Sequence, residues 1–331
     1  MKKLVSIILP VFNGEQFLAQ SINSCLAQSY KNIELIIVND ASTDSSYSII
    51  EGFANKDNRV RAIHNATNKK LPASLNIGHR TAQGTLMTWT SDDNVYAPNA
   101  IEEMVISIEN NNADIVYSNL YHIDEHNDIK GKYIYCKTRT ILLDNIIGAC
   151  FLYRKEVYEN LGGYDELLHG IEDYDFWLQA SRKYEFSHID KFLYYYRKHG
   201  NSLSSSIDDP LSELSNNFKD RLTQSYRKYF LIENNIVLSE IVMKLHLTQE
   251  INVREFLKQD LFNKIYDSLP LEINRKILKK QIDLRLRYNI QRFKKNQNIS
   301  MLFYILINKP ELLLKYEKKR SIDIILKCIR P

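Results

Sequence analysis

Two adjacent carboxylates, Asp92 and Asp93, stand where a segment of strand character ends. The preceding residues 85–90, Thr-Leu-Met-Thr-Trp-Thr, are rich in β-branched and aromatic side chains, which is typical of a strand. Neighbouring carboxylates repel each other, and burying them without partners is unfavourable. A solvated loop start is one interpretation of this pair. The other is that a positively charged group completes it.

The first 117 residues alternate between apolar strand segments and segments with helical periodicity. Strands are predicted at 5–11, 33–38, 59–63, 85–90 and 113–117, and helices at 15–28, 45–55, 72–83 and 98–110. This alternation predicts an α/β fold in which a mainly parallel, Rossmann-like sheet is covered by helices on both faces.

Polar residues follow three of the predicted strands. Asn13 comes after the first strand, Asp40 after the second, and the Asp92-Asp93 pair after the fourth. In open α/β sheets, ligands bind beyond the carboxyl ends of the strands, so we expect these side chains to meet at one crevice. This convergence favours a binding site over a solvated loop start.

Two common phosphate-binding fingerprints are missing from the sequence. No GxGxxG follows the first strand, and no GxxxxGK[ST] occurs. A phosphate group in the crevice would therefore need another source of positive charge. A divalent cation held by carboxylates supplies it, because Mg²⁺ and Mn²⁺ favour carboxylate oxygens together with phosphate oxygens. Mn²⁺ or Mg²⁺ is the predicted cofactor.

The chain also contains separated segments that occur in the order of a known family. They lie at 5–15, 34–44, 76–78 with 82–85, 92–93, 162–165 with 170–178, and 196–202. Asp92-Asp93 stands at the metal-binding "DxD" position, and Glu172-Asp173 stands in the acceptor-side "ED" region. Over roughly residues 4–204 the chain thus resembles glycosyltransferase family 2, the nucleotide-diphospho-sugar transferases with the GT-A fold.

The resemblance implies a nucleotide pocket at the ends of the first strands. Asp40 would hydrogen-bond the base, with the uracil imide as the expected partner, and Asp92 would face the ribose. The full set of implied donor-binding residues is Pro10, Val11, Phe12, Asn13, Asp40, Asn76 and Asp92.

The resemblance also implies the residues that perform the chemistry. Asp93 would ligate the cation that bridges the diphosphate, and His199 would add a metal or diphosphate contact. Asp173 would be the general base for the acceptor hydroxyl, with Glu172 beside it. One base and no enzyme nucleophile predict a single displacement, which inverts the anomeric centre.

Structural alternatives stand beside these roles. Asp40 also fits a cap of the following helix, and Glu172-Asp173 fits a helix start favoured by the helix dipole. His199 also fits a core residue of a tyrosine-rich strand. Tyr194-Tyr195-Tyr196 is expected to serve sheet packing and not sugar stacking.

The sequence departs from the family pattern at several positions. Thr90 stands where many members carry a first acid, and Asn39 replaces a frequent Asp. Lys69-Lys70-Leu71 stands where a glycine-containing turn is usual, and Leu75 stands where many members place Arg. No QxxRW segment occurs, so a processive polysaccharide synthase is not expected.

Composition and charge describe an ordinary globular chain with an uneven charge distribution. Of the 331 residues, 44% are hydrophobic and 25% are charged. Residues 1–209 carry 20 Lys and Arg against 27 Asp and Glu, a net −7, whereas residues 210–331 carry 24 against 13, a net +11. The basic half suggests an electrostatic role for the C-terminal region.

The expected location is cytoplasmic. No apolar run reaches the roughly 18 residues of a membrane-spanning helix. The apolar run at the N-terminus stops at Pro10 and lacks a small-residue cleavage site, so it is interpreted as a strand and not a signal peptide. The scattered cysteines show no metal or CxxC spacing and are predicted free thiols: Cys25, Cys136, Cys150 and Cys328.

Beyond the turn-rich segment 204–210 the family pattern ends, and helical patterns dominate, for example at 269–293 and 300–314. The predicted domains are therefore a GT-A domain at 1–204 and a basic helical region at 205–331. A solvated basic face is the simplest interpretation of this region, and an anionic membrane surface at the inner face of the cell membrane is the alternative. Nucleic acid is not an expected partner, since no recognisable module accompanies the charge. The oligomeric state is open.

The predicted function is transfer of one sugar from a nucleotide-sugar donor, with uridine expected, to a glycan or lipid-linked acceptor of surface polysaccharide. A catalytically silent module that binds sugar nucleotides or assembles a glycan complex is the alternative, and Thr90 is its main support. A nucleotidyltransferase shares the α/β layout, but Asn13-Gly14-Glu15 does not match its usual phosphate loop.

Overall fold

The computed structural model describes residues 2–135, 140–200, 202–208, 212–230, 236–269 and 273–329. The chain forms two compact units. The first comprises Met1–Cys136 and Ile147–Leu222, and the second comprises Lys137–Ile146 and Thr223–Pro331. The N-terminal part of the helix at Glu213–Phe230 therefore belongs to the first unit.

Strands and helices alternate through the first unit, as the apolar pattern predicts. In chain order its elements are β1 (Val5–Val11), α1 (Leu18–Leu26), β2 (Ile33–Asn39), α2 (Ser46–Ala54), β3 (Val60–His64), α3 (Leu71–Thr81), β4 (Leu86–Trp89), β5 (Val95–Tyr96), α4 (Ala100–Asn111), β6 (Ile115–Ile123), β7 (Ile129–Tyr133), β8 (Phe151–Arg154), α5 (Lys155–Leu161), α6 (Glu172–Ala180), β9 (Phe186–Arg197), α7 (Leu203–Asp208) and α8 (Glu213–Phe230).

The strands form one mixed sheet in the order β3-β2-β1-β4-β8-β6-β9-β5, with β7 paired to β6. β1 runs parallel to both β2 and β4, and β2 runs parallel to β3. Val11 pairs with Asn39, and Ile8 pairs with Trp89, so the carboxyl ends of β1, β2 and β4 lie at one edge. The expected convergence of these strand ends is confirmed.

The other half of the sheet contains the antiparallel pairs. β8 runs antiparallel to both β4 and β6, and β5 runs antiparallel to β9. Every residue of β1 and of β2 is buried, which requires cover on both faces of the sheet. The GT-A type α/β architecture expected from the sequence is confirmed, with these antiparallel pairs as an addition.

The second unit is helical in its described part. It contains the end of α8, followed by α9 (Ile236–His246), α10 (Val253–Lys258), α11 (Leu261–Asp267), α12 (Arg275–Arg292), α13 (Ile299–Asn308), α14 (Glu311–Leu314) and α15 (Lys318–Ile329). Asn274 caps α12 by accepting hydrogen bonds from the amides of Lys276 and Ile277, so this helix starts later than the pattern from residue 269 suggests.

One predicted helix of this region is two helices. The segment 300–314 is interrupted at Lys309-Pro310, and α14 begins after the proline. Proline lacks the amide hydrogen that would continue α13, which explains the break. No described helix is both long enough and apolar enough to cross a membrane. Cys25, Cys150 and Cys328 are buried free thiols, and Cys136 lies outside the described residues.

Candidate active site

The loops after β1 and β2 are tied to each other by hydrogen bonds, and we name residues 12–15 and 41–46 the cross-linked rim. The Asn13 amide donates to Ser42 Oγ at 3.0 Å, and the Thr43 amide donates to Asn13 Oδ1 at 2.8 Å. The Gly14 amide donates to Ser46 Oγ at 3.0 Å. These bonds fix the rim without any ligand.

Acidic residues complete the rim. The Glu15 amide donates to Asp44 Oδ2 at 3.0 Å, and the Ser45 amide donates to Glu15 Oε2 at 2.8 Å. Asp44 Oδ1 also accepts from the Ser46 amide at the first turn of α2. Asp44 therefore supports the helix start, and Asp40 is not needed as its cap.

The predicted nucleotide-pocket residues of β1 divide into two kinds. Pro10 and Val11 are buried strand residues, so only their backbone is available to a ligand. Phe12 is 51% exposed, and Asn13 adopts a left-handed conformation with φ of 55°. The exposed ring of Phe12 and the backbone around it are the groups of this segment that can face a base.

Asp40 is buried and holds the segment that leads into α3. Its Oδ1 accepts hydrogen bonds from Asn65 Nδ2 at 2.8 Å and from the Lys69 amide at 2.9 Å. Its Oδ2 accepts from the Lys70 amide at 2.9 Å. The carboxylate thus fixes a neighbouring loop, which sequence reasoning did not foresee, and Oδ2 keeps acceptor capacity for a further donor.

Asn76 lies in α3 with its side-chain amide engaged by protein groups. Nδ2 donates to the Tyr164 carbonyl at 2.8 Å and to Glu166 Oε1 at 3.1 Å. Oδ1 accepts from the Tyr164 amide at 2.9 Å and from Tyr158 Oη at 3.1 Å. Both hydrogens and both lone pairs are used, so any influence of Asn76 on donor binding is exerted through Tyr158, Tyr164 and Glu166.

The segment after β4, residues 90–94, is named the acidic turn. Asp92 lies against Gly14 of the cross-linked rim, where an added Cβ would stand 2.1 Å from Asp92 Oδ2. Removal from water, and then the charge of Asp93, raise the pKa of Asp92 to about 7. A hydrogen bond from the Phe12 backbone acts in the opposite direction. Glycine at position 14 is thus a steric requirement of the acidic turn.

Asp93 contacts the second predicted metal-site residue, His199. His199 Nε2 lies 3.0 Å from Asp93 Oδ2, and the imidazole packs at 5.2 Å from the Phe17 ring. Removal from water raises the pKa of Asp93, and the bond to His199 opposes that shift. The second oxygen, Asp93 Oδ1, is buried without a hydrogen-bond partner. Structure and sequence therefore agree that Asp93 and His199 lie together.

Arg197 positions the acidic turn, a role that sequence reasoning missed. This buried arginine donates from Nε to the Asp93 carbonyl at 2.8 Å, and its amide donates to Asn94 Oδ1 at 2.7 Å. The guanidinium also lies over the Phe17 ring, 4.3 Å from the centroid. Its remaining hydrogen bonds reach Gln20, Asp124 and Asn127. The sequence feature that could have indicated this role is an arginine at the end of an aromatic strand, two residues before His199.

Thr90, at the position of the missing first acid, is buried. Its Oγ1 lies 2.5 Å from Tyr194 Oη, and the Thr90 amide donates to the Ile8 carbonyl at 3.0 Å. An aspartate here would place a third carboxylate beside Asp92 and Asp93 in a buried position, so threonine suits this interior.

Glu172 and Asp173 begin α6, as the helix-start interpretation expects. Glu172 is buried, and its Oε2 accepts from the Gly170 amide at 2.6 Å. Burial, and then the charge of Asp173, raise the pKa of Glu172 well above its ordinary value. Asp173 is half-buried, and its Oδ1 accepts from the Tyr174 amide at 2.6 Å. The pair thus differs in character: Glu172 is a buried support, and Asp173 is the more accessible carboxylate.

The turn before α6 is held by a helix from beyond the expected domain end. Arg221 of α8 donates from a guanidinium nitrogen to the His169 carbonyl at 2.8 Å. Gly170, with φ of +90°, lies near the side chains of Ile207 and Leu214. Residues C-terminal to 204 therefore support the acidic start of α6.

The donor set of the acidic turn fits a divalent cation that arrives with a phosphate-bearing ligand. Among the described residues, no three His, Cys, Asp or Glu side chains form a metal cluster. Asp93 and His199 offer two ligands, and the unpartnered Asp93 Oδ1 is a buried oxygen that a cation would satisfy. Mg²⁺ is commonly held by one or two carboxylates plus substrate phosphates and water, so a two-residue site is sufficient.

Comparison with known proteins agrees with this fold. Residues 6–162 match the family model described as glycosyl transferase family 2. The chain belongs to this family. An uncharacterised glycosyltransferase of Haemophilus influenzae is 28% identical over 323 residues, which cover 90% of this chain and 95% of the relative. One of Rickettsia conorii is 32% identical over 240 residues, which cover 67% of this chain. The match spans only 39% of the rickettsial protein's own length.

Solved structures of glycosyltransferases share the fold of this family 2 member. Staphylococcus aureus TarS 1–349 in complex with UDP-GlcNAc superposes with a TM-score of 0.60 at 16% identity, covering 90% of this chain and 93% of TarS 1–349. The mannosyltransferase PcManGT of Pyrobaculum calidifontis, in complex with GDP-Man and Mn²⁺, gives 0.55 at 14% identity, covering 96% and 89%. At these identities the likeness concerns the fold.

Proposed function

We propose that this family 2 glycosyltransferase transfers one sugar, with inversion, from a nucleoside diphosphate sugar to a glycan or lipid-linked acceptor of surface polysaccharide. The observation that carries the proposal is the buried, unpartnered Oδ1 of Asp93 beside His199. The free lone pairs of this oxygen suit a cation, which would in turn bind the negatively charged diphosphate. UDP-linked sugar is the first donor to test, because TarS of the same fold was solved with UDP-GlcNAc.

Donor binding is assigned to the cross-linked rim and the acidic turn. Phe12 and the backbone beside it would face the base, Asp40 would accept from it, and Asp92 would face the ribose. Asp93 and His199 would hold Mn²⁺ or Mg²⁺, the former being the ion in the PcManGT complex. When bound, the cation takes up negative charge from the departing diphosphate.

Transfer itself is assigned to the start of α6. Asp173 would accept the proton of the acceptor hydroxyl as that oxygen bonds to the anomeric carbon, while the bond from this carbon to the diphosphate oxygen breaks. The leaving nucleotide retains the bonding electron pair. Attack from the face opposite the leaving group inverts the centre. Glu172, with its raised pKa, would stay neutral near pH 7 and avoid a second negative charge beside the base.

The first test is release of nucleotide from a panel of sugar nucleotides, with Mn²⁺ or with chelator, by slow hydrolysis without acceptor. We expect one preferred donor, dependence on the metal, and a loss of at least about a hundredfold in Asp93→Ala. Glu156→Ala, which removes an exposed carboxylate of α5, is the matched control and should retain wild-type release.

A second variant separates binding from transfer. Asp173→Asn should bind the donor with unchanged affinity by calorimetry, while acceptor-dependent turnover falls by about 10²–10⁴-fold. Binding without turnover across a broad acceptor panel would contradict the enzymatic proposal and favour a silent sugar-nucleotide-binding module. Absence of binding to every donor would remove the nucleotide site.

A further inference from the structure

α13 exposes an apolar stripe along one side. Its exposed members recur at a spacing of three to four residues, so they share one helix face. They are Ile299, Phe303, Leu306 and Ile307, the last being 76% exposed. The opposite face packs into the second unit through Met301, Leu302 and Ile305.

α15 repeats this arrangement. Its exposed apolar residues are Ile322, Leu326 and Ile329, and its buried residues are Ser321, Ile324 and Cys328. The two helices contact each other within the second unit. Large exposed apolar patches on soluble proteins mark interaction sites, whereas single exposed apolar residues need no explanation. Seven such residues lie on the exposed sides of two helices that contact each other.

Lysines without ion pairs lie at the end of α14 and in the first turn of α15. Leu314, which ends α14, is 77% exposed. The exposed lysines at 315, 318 and 319 take part in no ion pair within the described residues. Nearby basic residues are instead paired, as in Lys327–Asp323 at 3.3 Å and Arg320–Glu317 at 3.0 Å. Lys315, Lys318 and Lys319 thus place unpaired positive charge next in sequence to the exposed apolar residues of α14 and α15.

Two occupants could cover such a surface, a second copy of the chain or a lipid bilayer, and the charge of the region distinguishes them. A second copy would bring together two regions that each carry 24 Lys and Arg against 13 Asp and Glu over residues 210–331. Like charges at an interface oppose association. An anionic bilayer instead attracts exposed lysines and accepts apolar side chains at the level of its headgroups. With 10 and 12 residues, α13 and α15 are about 15 and 18 Å long, which suits helices lying at the interface and not crossing it.

We infer that α13, α15 and the turn between α14 and α15 form a membrane-docking face for a bilayer containing anionic lipid. The face consists of the eight exposed apolar residues and the three unpaired lysines named above. It extends the proposed function, since a lipid-linked acceptor lies at such a surface, but it is tested without any catalytic step.

The test is flotation of the full chain with phosphatidylcholine vesicles, with and without about a third of phosphatidylglycerol. The wild type should bind the anionic vesicles at low salt and bind neutral vesicles far less. Replacing Lys315, Lys318 and Lys319 by Gln should weaken binding by about fivefold per lysine, or about a hundredfold in total, and flatten its salt dependence. Replacing Phe303, Ile307, Ile322 and Leu326 by Gln should reduce binding to both kinds of vesicle by at least about tenfold.

Matched controls come from the same unit. Lys258, Lys264 and Lys276 are exposed lysines of α10, α11 and α12, and replacing them by Gln should change binding less than the Lys315, Lys318 and Lys319 variant does. Val237→Gln and Leu284→Gln alter exposed apolar residues outside the face and should leave binding unchanged. Far-UV circular dichroism serves as the folding check, since these residues lie in or next to the helices of the second unit.

A fluorescent probe tests insertion directly. The native tryptophans, Trp89 and Trp177, lie in the first unit, so Phe303→Trp adds a probe on the docking face. Its emission should shift to shorter wavelength with anionic vesicles, relative to the wild-type background. The inference is overturned if the wild type stays in the soluble fraction, or if control and face variants lose binding equally. A second copy would be the occupant if the wild type formed a dimer and bound no vesicles, and if replacing Phe303, Ile307, Ile322 and Leu326 by Gln dissociated that dimer. This result would overturn the inference.

Discussion

The cross-linked rim and the acidic turn follow neighbouring parallel strands, but they differ in how their polar groups are satisfied. In the rim, amide hydrogens of one loop find side-chain oxygens of the other, and Asp40 beside it accepts three hydrogen bonds. In the acidic turn, Asp93 Oδ1 is buried without a partner, and burial raises the pKa values of both aspartates. The rim is complete as folded, whereas the turn keeps one buried carboxylate oxygen without a partner.

This difference has an energetic meaning. Hydrogen bonds to a buried carboxylate stabilise the fold, while an incompletely paired one reduces stability. Such local instability is characteristic of sites that bind charged ligands, since the same groups that oppose folding favour the ligand. Loss of a carboxylate should therefore destabilise the fold much more at Asp40 than in the acidic turn.

The largest effect on this comparison is expected from Asp40→Ala. It leaves the Lys69 amide without its acceptor, removes one of the two acceptors of Asn65 Nδ2, and leaves the Lys70 amide with Asn68 Oδ1 alone. The free energy of unfolding should therefore fall by about 3 kcal/mol. Asp93→Ala should change it by less than about 1 kcal/mol, because a disfavoured charge and a hydrogen bond to His199 are lost together. Urea denaturation of both variants measures the difference. Equal destabilisation would contradict the distinction between the regions.

Gly14→Ala tests whether the rim holds the acidic turn in place. The added Cβ would stand 2.1 Å from Asp92 Oδ2, so the carboxylate must move. We expect metal-dependent donor turnover to fall by about a hundredfold, as displacement of a positioned group commonly does. Gly52→Ala is the matched control, because its Cβ would meet nothing within 4 Å in α2. Full activity of the Gly14 variant would show that the contact is dispensable.

Glu172→Gln should reveal a pH-dependent stability. A buried acid whose pKa is raised binds its proton more tightly in the folded state, so its contribution to stability declines as pH rises above about 4.5. Glutamine keeps an acceptor for the Gly170 amide without this penalty. The variant should match the wild type near about pH 5 and exceed it by about 1–2 kcal/mol near about pH 9. Thermal unfolding at the two values, with Glu156→Gln as the exposed control, measures this, and a gain independent of pH would refute it.

The smallest effect concerns Lys70, which precedes α3 with φ of 72° and ψ of 166°. This left-handed conformation is strained for a lysine and free for a glycine. Lys70→Gly removes this strain, but it also increases the conformational entropy of the unfolded chain. The balance should raise the free energy of unfolding by about 1 kcal/mol. Lys69→Gly, at a position without positive φ, should instead destabilise it. Thermal unfolding compares the two, and the same sign for both would exclude strain as the cause.

Much of the first unit could be predicted because apolar periodicity reports directly on burial. The segments at 5–11 and 33–38 predicted strands that the structure places side by side in parallel. Polar residues after these strands then had to meet at one edge, since parallel strands end together. The neighbouring positions of Asp93 and His199 were expected from the family resemblance, and the functional roles of both remain predictions.

Other features were beyond the sequence because they depend on strand order and on contacts between distant loops. The antiparallel insertion of β8 between β4 and β6 has no local signature. In the sequence, Arg197 was only one residue of the family-like segment 196–202. Its hydrogen bonds to the acidic turn and to residues 124 and 127 arise only in the folded sheet. The division of 300–314 at Pro310 was visible locally and should have been predicted.

By itself, the sequence determined the order of strands and helices, the edge at which polar strand ends gather, and the acidic pair that a cation would complete. These follow from local rules: the period of the apolar pattern, the placement of polar residues after strands, and the repulsion of adjacent carboxylates. The tertiary structure decided which of these polar groups are already satisfied. Asp40 finds three donors from a loop some 25 to 30 residues away, and Asp93 Oδ1 finds none. That distinction depends on the approach of loops in space, which no local pattern encodes.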